Sequence, residues 1–193
     1  MKKVRYVFFI TVVLAFLCGC AFTPQQATLR PVVTVAETNI GTGVEIGVKV
    51  LDERPDELLG HRGSAYGSAA KITTDQDVAA IFYREIVEGL KKNGFSPVAY
   101  AEDFPRTLKV EIRSIKYDTS TGFWTGGVHT TAAIKALATN SEETYENFYR
   151  FQSEKRVVFV PSAKTNARLI NETVSQVLNK LFNDQDLMAF LAR

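Results

Sequence analysis

Apolar residues follow three different rhythms along this chain. The first is continuous: YVFFITVVLAFL, residues 6–17, runs without a charged residue after the basic start MKKVR. The second is alternation. VVTVAE (32–37) and GVEIGVKVLDER (43–54) read as strands, with Val44, Ile46, Val48 and Val50 interleaved by Glu45, Gly47 and Lys49. FSPVAY (95–100) and TLKVEIRSIKYD (107–118) continue the series. The apolar phase of the latter runs Leu108, Val110, Ile112 and then slips to Ile115 and Tyr117. A one-residue slip turns a strand over, so the pattern predicts a β-bulge near Ser114. VHTTAAIKALAT (128–139) and ETYENFYRFQSEKRVVFV (143–160) complete a predicted meander, joined by a hairpin connection at STGFWTGG, where glycine supplies turn conformations.

The third rhythm is helical. In TTDQDVAAIFYREIVEGLKKNG (73–94), Val78, Phe82, Ile86 and Leu90 recur every four residues with Ile81 beside them; Thr74 and Asp77 resemble a capping box, and Gly94 stands at a C-cap position. The last segment, residues 162–193, carries Ile170, Val174, Val177, Leu178 and Leu181 on one face and reads as a second helix. Between them DERPDELLGHRGSAYGSAAK (52–71), broken by Pro55, Gly60, Gly63 and Gly67, reads as a long loop or irregular edge. The expected class is α+β, a mainly antiparallel sheet packed with two principal helices. The expected division is a signal peptide over 1–19, a lipidated N-terminus and tether over 20–30 and one domain over 31–193, since CAFTPQQATLR is polar and without period.

Composition changes the reading of the N-terminus most. A basic start, a short apolar stretch and small residues make a secretory signal, and twelve apolar residues are too few for a helix that crosses a bilayer, which needs about 20. Removal of residues 1–19 takes Lys2, Lys3 and Arg5 with it. The formal charge then falls from +2 to −1, with 20 basic against 21 acidic residues, and no basic run survives to neutralise phosphates, so nucleic acid is not an expected partner. Leu17, Cys18, Gly19 and Cys20 resemble the lipobox of bacterial lipoproteins. That resemblance implies cleavage before Cys20, a diacylglycerol on its sulfur and a further acyl chain on its amino group. Ala at position 21, where Asp would mark retention, implies sorting to the outer membrane and a domain on its periplasmic side. Several acyl chains, at about 0.8 kcal/mol per buried methylene, make such anchoring permanent in practice. Cys18 leaves with the signal, and with it any Cys-based metal or redox chemistry.

The chain is also similar to the YajG family of lipoproteins over nearly its whole length, in the D-x-R and L-G of Asp52, Arg54, Leu59 and Gly60, the TLKVEI strand, the alanine-rich strand and the closing VLNKLFNDQDLMAFL helix. The likeness implies a fold and a location and no activity. The same order of elements is similar to lipoproteins that assist envelope transporters and to others that activate cell-wall synthases.

The mature chain offers little for catalysis. His61 and His129 are separated by about seventy residues without a third clustered ligand, so neither a metal nor another cofactor is expected. Asp52, Glu53, Asp56 and Glu57 crowd around Pro55, and a carboxylate pair can cleave glycan; carboxylates beside a proline turn are ordinarily solvated, and Arg54 can pair with one. Tyr145, Tyr149 and Phe151 share one strand face, with Phe148 on the other, and read as sheet-packing aromatics. Phe123 and Trp124, at the expected hairpin tip, read either as a contact for a partner or a membrane or as side chains folded back on the sheet. The expected function is a non-catalytic accessory subunit of an envelope transport or assembly machine, with an unnamed envelope protein as partner and the membrane held through Cys20. The alternatives are a regulator of cell-wall synthases and a carboxylate-based wall hydrolase.

Overall fold

A computed structural model describes residues 23–63, 69–121, 126–141, 143–157 and 161–193. Eight strands form one curled sheet: β1 (Gln25–Gln26), β2 (Glu45–Asp52), β3 (Gly60–Arg62), β4 (Ala70–Thr73), β5 (Ser96–Ala99), β6 (Arg106–Thr121), β7 (Gly126–Asn140) and β8 (Glu143–Val157). Among the described residues three helices pack on it: α1 (Val78–Lys92), α2 (Ala163–Phe182) and α3 (Gln185–Ala192). The class is α+β as the alternation and helical periods predict. The sheet, however, is mixed. β6–β7–β8 is a long antiparallel meander, while β2 runs parallel to both β5 and β6, β3 parallel to β6 and β1 parallel to β4. Periodicity reports which face of a strand is buried and is silent about its direction, which explains the difference.

β6 organises the sheet. One of its edges pairs with β7 throughout, whereas the other is shared: Gly47 to Asp52 of β2 lie beside Thr107 to Ile112, and Gly60 of β3 beside Tyr117. The pairing with β7 shifts between Ile112 and Ser114, which leaves Arg113 as the bulged residue. Leu108, Val110 and Ile112 are buried before the shift and Ile115 and Tyr117 after it, so the bulge returns the apolar residues to the core face.

α1 buries Val78, Ile81, Phe82, Ile86 and Leu90, the predicted face. Its N-cap is Asp77, whose carboxylate accepts from the Ala80 amide, while Thr74 Oγ1 accepts instead from the Gln76 amide one turn earlier; the expected Thr74 box is displaced accordingly. Gly94 follows the C-cap with φ +83°, as expected. The C-terminal segment is two helices rather than one. Asn183 ends α2, and Asp184 caps α3 by accepting from the Leu187 amide at 3.0 Å. The stretch over 52–71, expected as a long loop or an irregular edge, holds β3 and the first two residues of β4, short strands whose three and four residues are too few to show a period.

The other departure is at the N-terminus. VVTVAE is not a strand of the sheet, and residues 25–30, expected in a tether, are packed. From β1 onward the chain lies extended across α2, burying Ala27, Leu29, Pro31 and Val33. The alternate amides donate to one stripe of the helix: Arg30 to Asn171 Oδ1 at 2.6 Å, Val32 to Ser175 Oγ at 2.9 Å and Thr34 to Asn179 Oδ1 at 2.9 Å. Four helical residues rise about 6.0 Å and two extended residues about 6.6 Å, so every fourth side chain meets every second amide. Gln76 holds the same strap from below, accepting from the Leu29 amide at 2.6 Å.

Candidate functional site

The D-x-R…L-G residues belong to an excursion from the edge of β6. The chain leaves that edge where the Glu53 amide donates to the Ile112 carbonyl at 3.0 Å, and rejoins it where the Tyr117 amide donates to the Leu59 carbonyl at 2.8 Å. Within the excursion Arg54 folds back on Asp52 through Nε to Oδ1 at 2.8 Å and Nη2 to Oδ2 at 2.7 Å, and its Nη1 donates to the Glu57 carbonyl at 3.4 Å. The guanidinium is buried, with the Arg54 side chain only 4% exposed. Its hydrogen bonds hold the Asp52 carboxyl below the usual carboxylate range in spite of partial burial. Asp56 caps the turn by accepting from the Leu58 amide at 2.9 Å. Gly60 closes the excursion with φ +142°, where a Cβ would lie 1.9 Å from the Tyr117 carbonyl oxygen. The three residues of the motif thus act together, Asp52 and Arg54 in one ion pair and Gly60 at the return.

Two clefts flank this loop. One of about 210 Å³ lies between it and β6, lined by Arg54, Asp56, Leu58, His61, Lys116 and Asp118. The other, about 360 Å³, is acidic, with Asp52, Glu57, Asp75 and Asp77 around the far side of Arg54. A carboxyl whose pKa is lowered stays ionised and is a poor general acid, so Asp52 is unsuited to protonating a glycosidic oxygen. His129 stands on β7, its Nε2 3.2 Å from Ser120 Oγ and its Nδ1 3.9 Å from Glu154. Among the described residues no group of three or more His, Cys, Asp or Glu side chains is placed to hold a metal ion.

The aromatic stripe of β8 is core, as read from its alternation. Tyr149 is buried, Tyr145 and Phe151 pack against the core and Phe148 points away, 55% exposed. Sequence reasoning missed what Tyr145 and Tyr149 hold. Both hydroxyls donate to Asp184 Oδ2, at 2.9 and 2.5 Å, and Asn147 donates to the same oxygen at 2.9 Å. Burial works to raise the Asp184 pKa, but these bonds and the Leu187 amide outweigh it and hold the carboxyl low. The signal was the NDQDL stretch, an Asn–Asp pair ahead of an apolar run, which is a helix start inside an apparently continuous helix. Tyr117 reaches Asn166 Oδ1 at 2.5 Å, and burial pushes its hydroxyl up to about 12 against the opposing charge of Arg62. Cys20, Phe123 and Trp124 lie outside the described residues.

Together these features define an α+β domain whose D-x-R…L-G residues serve its own architecture, as an ion pair and a return to β6. The chain belongs to a lipoprotein family described as "Uncharacterized lipoprotein", which matches residues 31–192, in agreement with the YajG-like resemblance. Membership makes this a membrane-anchored domain, and no helix among the described residues is long and apolar enough to cross a membrane. No protein of curated function matches the sequence. Among solved structures, the chain is similar to protein XCC0632 from Xanthomonas campestris, with 13% identity and a TM-score of 0.55, covering 86% of this chain and 95% of that one. It is also similar to an uncharacterized protein at 9% identity and a TM-score of 0.50, covering 84% and 99%. At such identities the likeness shows the fold alone.

Proposed function

We propose that this protein is a non-catalytic accessory subunit of an envelope transport or assembly machine, anchored on the periplasmic side of a bacterial outer membrane by acyl chains on Cys20 after removal of residues 1–19. The observation that carries this reading is the Asp52–Arg54 pair: one of the four carboxylates around Pro55 is committed at both oxygens to a buried guanidinium. The packed strap supports the transport role over the regulation of wall synthases. With Gln25 already paired in the sheet, only five residue steps separate it from Cys20, a span of at most about 17 Å, too short to carry the domain through the wall. Phe123 and Trp124, in the connection between β6 and β7, are the proposed protein contact, for a partner that meets the domain at the membrane surface.

The test is affinity purification of the detergent-solubilised lipoprotein. A defined envelope complex is expected with the parent chain, and Phe123→Ser with Trp124→Ser is expected to abolish its capture while leaving stability within about 1 kcal/mol, as exposed sites do. Cys20→Ser is expected to move the domain into the soluble fraction. Clearing of purified peptidoglycan that vanishes in Asp52→Asn would overturn the non-catalytic reading.

A further inference from the structure

We infer that one end of the domain, marked by Gln25 and the first turn of α2, lies directly on the membrane and recognises anionic phospholipid headgroups; this rests on acylation of Cys20. The placement follows from register. Gln25 pairs with Ile72, Ile72 with Gly60, and Gly60 with Tyr117, so the chain enters the sheet near the late half of β6. β1 runs parallel to β4, hence antiparallel to β3 and β6. The residues preceding Gln25 are therefore directed towards the end of β6, where Ser120 pairs with Gly127. Asn166, in the first turn of α2, bridges the same level, accepting from Tyr117 and donating to Gln25 Oε1 at 2.8 Å.

Lengths decide what can reach the bilayer. The 16 residues of β6 extend about 50 Å, three times the leash of about 17 Å between Cys20 and Gln25. A domain held so closely cannot turn over. The opposite end, with Glu102 and Glu143, stays away from the lipid, while the entry end is kept within a few ångströms of the headgroups. Charge fits that placement. Lys71 pairs with His61 one step past Gly60, Lys155 and Arg156 pair with Val128 and Gly127, and Lys164 lies in the first turn of α2. All four cations are exposed and outnumber Asp118 and Glu154 at this end, although Lys155 is shared with Glu172 at 2.8 Å. Basic side chains held within a Debye length of an anionic surface are attracted to it.

The acylated full-length protein, reconstituted in phosphatidylethanolamine–phosphatidylglycerol vesicles, tests this. The mature chain has no cysteine besides Cys20, so Lys164→Cys or Glu102→Cys supplies a single free thiol for a fluorophore. Lipids spin-labelled at the headgroup are expected to quench the label at 164 at least threefold more than the label at 102. Lys71→Glu with Arg156→Glu is expected to reduce quenching at 164 in these vesicles and to leave it unchanged in purely zwitterionic ones. Equal quenching at the two positions, in protein whose intact mass includes the acyl chains, overturns the docking end; insensitivity to charge reversal overturns headgroup recognition. A chain without acyl mass removes the anchor and, with it, this inference.

Discussion

Gly60 illustrates how a backbone position can carry a motif. At φ +142° with a virtual Cβ 1.9 Å from a main-chain oxygen of β6, no side chain fits unless the loop withdraws from the strand. Gly60→Ala is expected to break the return of the 53–59 excursion and to lower stability by about 3 kcal/mol, read as a fall in the urea midpoint. An unchanged midpoint would show that the loop re-enters by another route. The L-G of the motif is thus a steric requirement, and its D-x-R is a clasp: Asp52 receives three hydrogen bonds from Arg54, two from the guanidinium and one from the backbone amide at 3.3 Å.

Elements whose apolar residues face one neighbour are legible in the sequence alone. α1 shows its four-residue step, and β6 announces its bulge by the slip from Ile112 to Ile115, because burial on one face is what a hydrophobic period records. Elements held by polar contacts are not. VVTVAE alternates as a strand does and is indeed extended, yet it and the Arg30 just before it are held by Asn171, Ser175 and Asn179, polar residues on a helix that nothing local connects to residues 141 to 145 positions earlier. The motif residues Asp52, Arg54 and Gly60 are legible as a group, while their structural purpose depends on Ile112 and Tyr117, distant in sequence. Simultaneous change of Asn171, Ser175 and Asn179 to Ala is expected to expose the amides of Arg30, Val32 and Thr34 to hydrogen exchange while α1 and β6 keep their protection. Retained protection at the three amides would show that burial of Leu29, Pro31 and Val33 suffices to hold the strap.

At the scale of the molecule, carboxyls held low tie its stability to pH: Glu111 and Glu172 beside their surface lysines, and the more deeply set Asp52 and Asp184. Asp52 in its clasp and Asp184 at the α2–α3 joint are both held below the ordinary value, so between that value, about 3.9, and their folded values the unfolded chain binds more protons. Their contribution is complete above the unfolded pKa and is lost as pH falls through the folded pKa values. The urea midpoint is therefore expected to be nearly level from pH 7 to 5 and to drop below about pH 4, with a shallower drop in Asp184→Asn, which starts from a lower midpoint. Equal steepness in the parent and variant would remove Asp184 from the acid response.

The strap also has a mechanical meaning. With the proposed anchor on Cys20, an envelope that swells or shears pulls on this protein through its first residues, and that tension enters along the line of the chain from Gln25 to Thr34. The bonds of Ala27 to Thr73, Leu29 to Gln76, Arg30 to Asn171, Val32 to Ser175 and Thr34 to Asn179 lie one after another along that line. A load parallel to such a row is shared by its rungs, whereas a load across it would open them singly. The segment that fastens the fold thereby serves as its strain relief, passing tension into α2 and the core before the sheet is peeled apart.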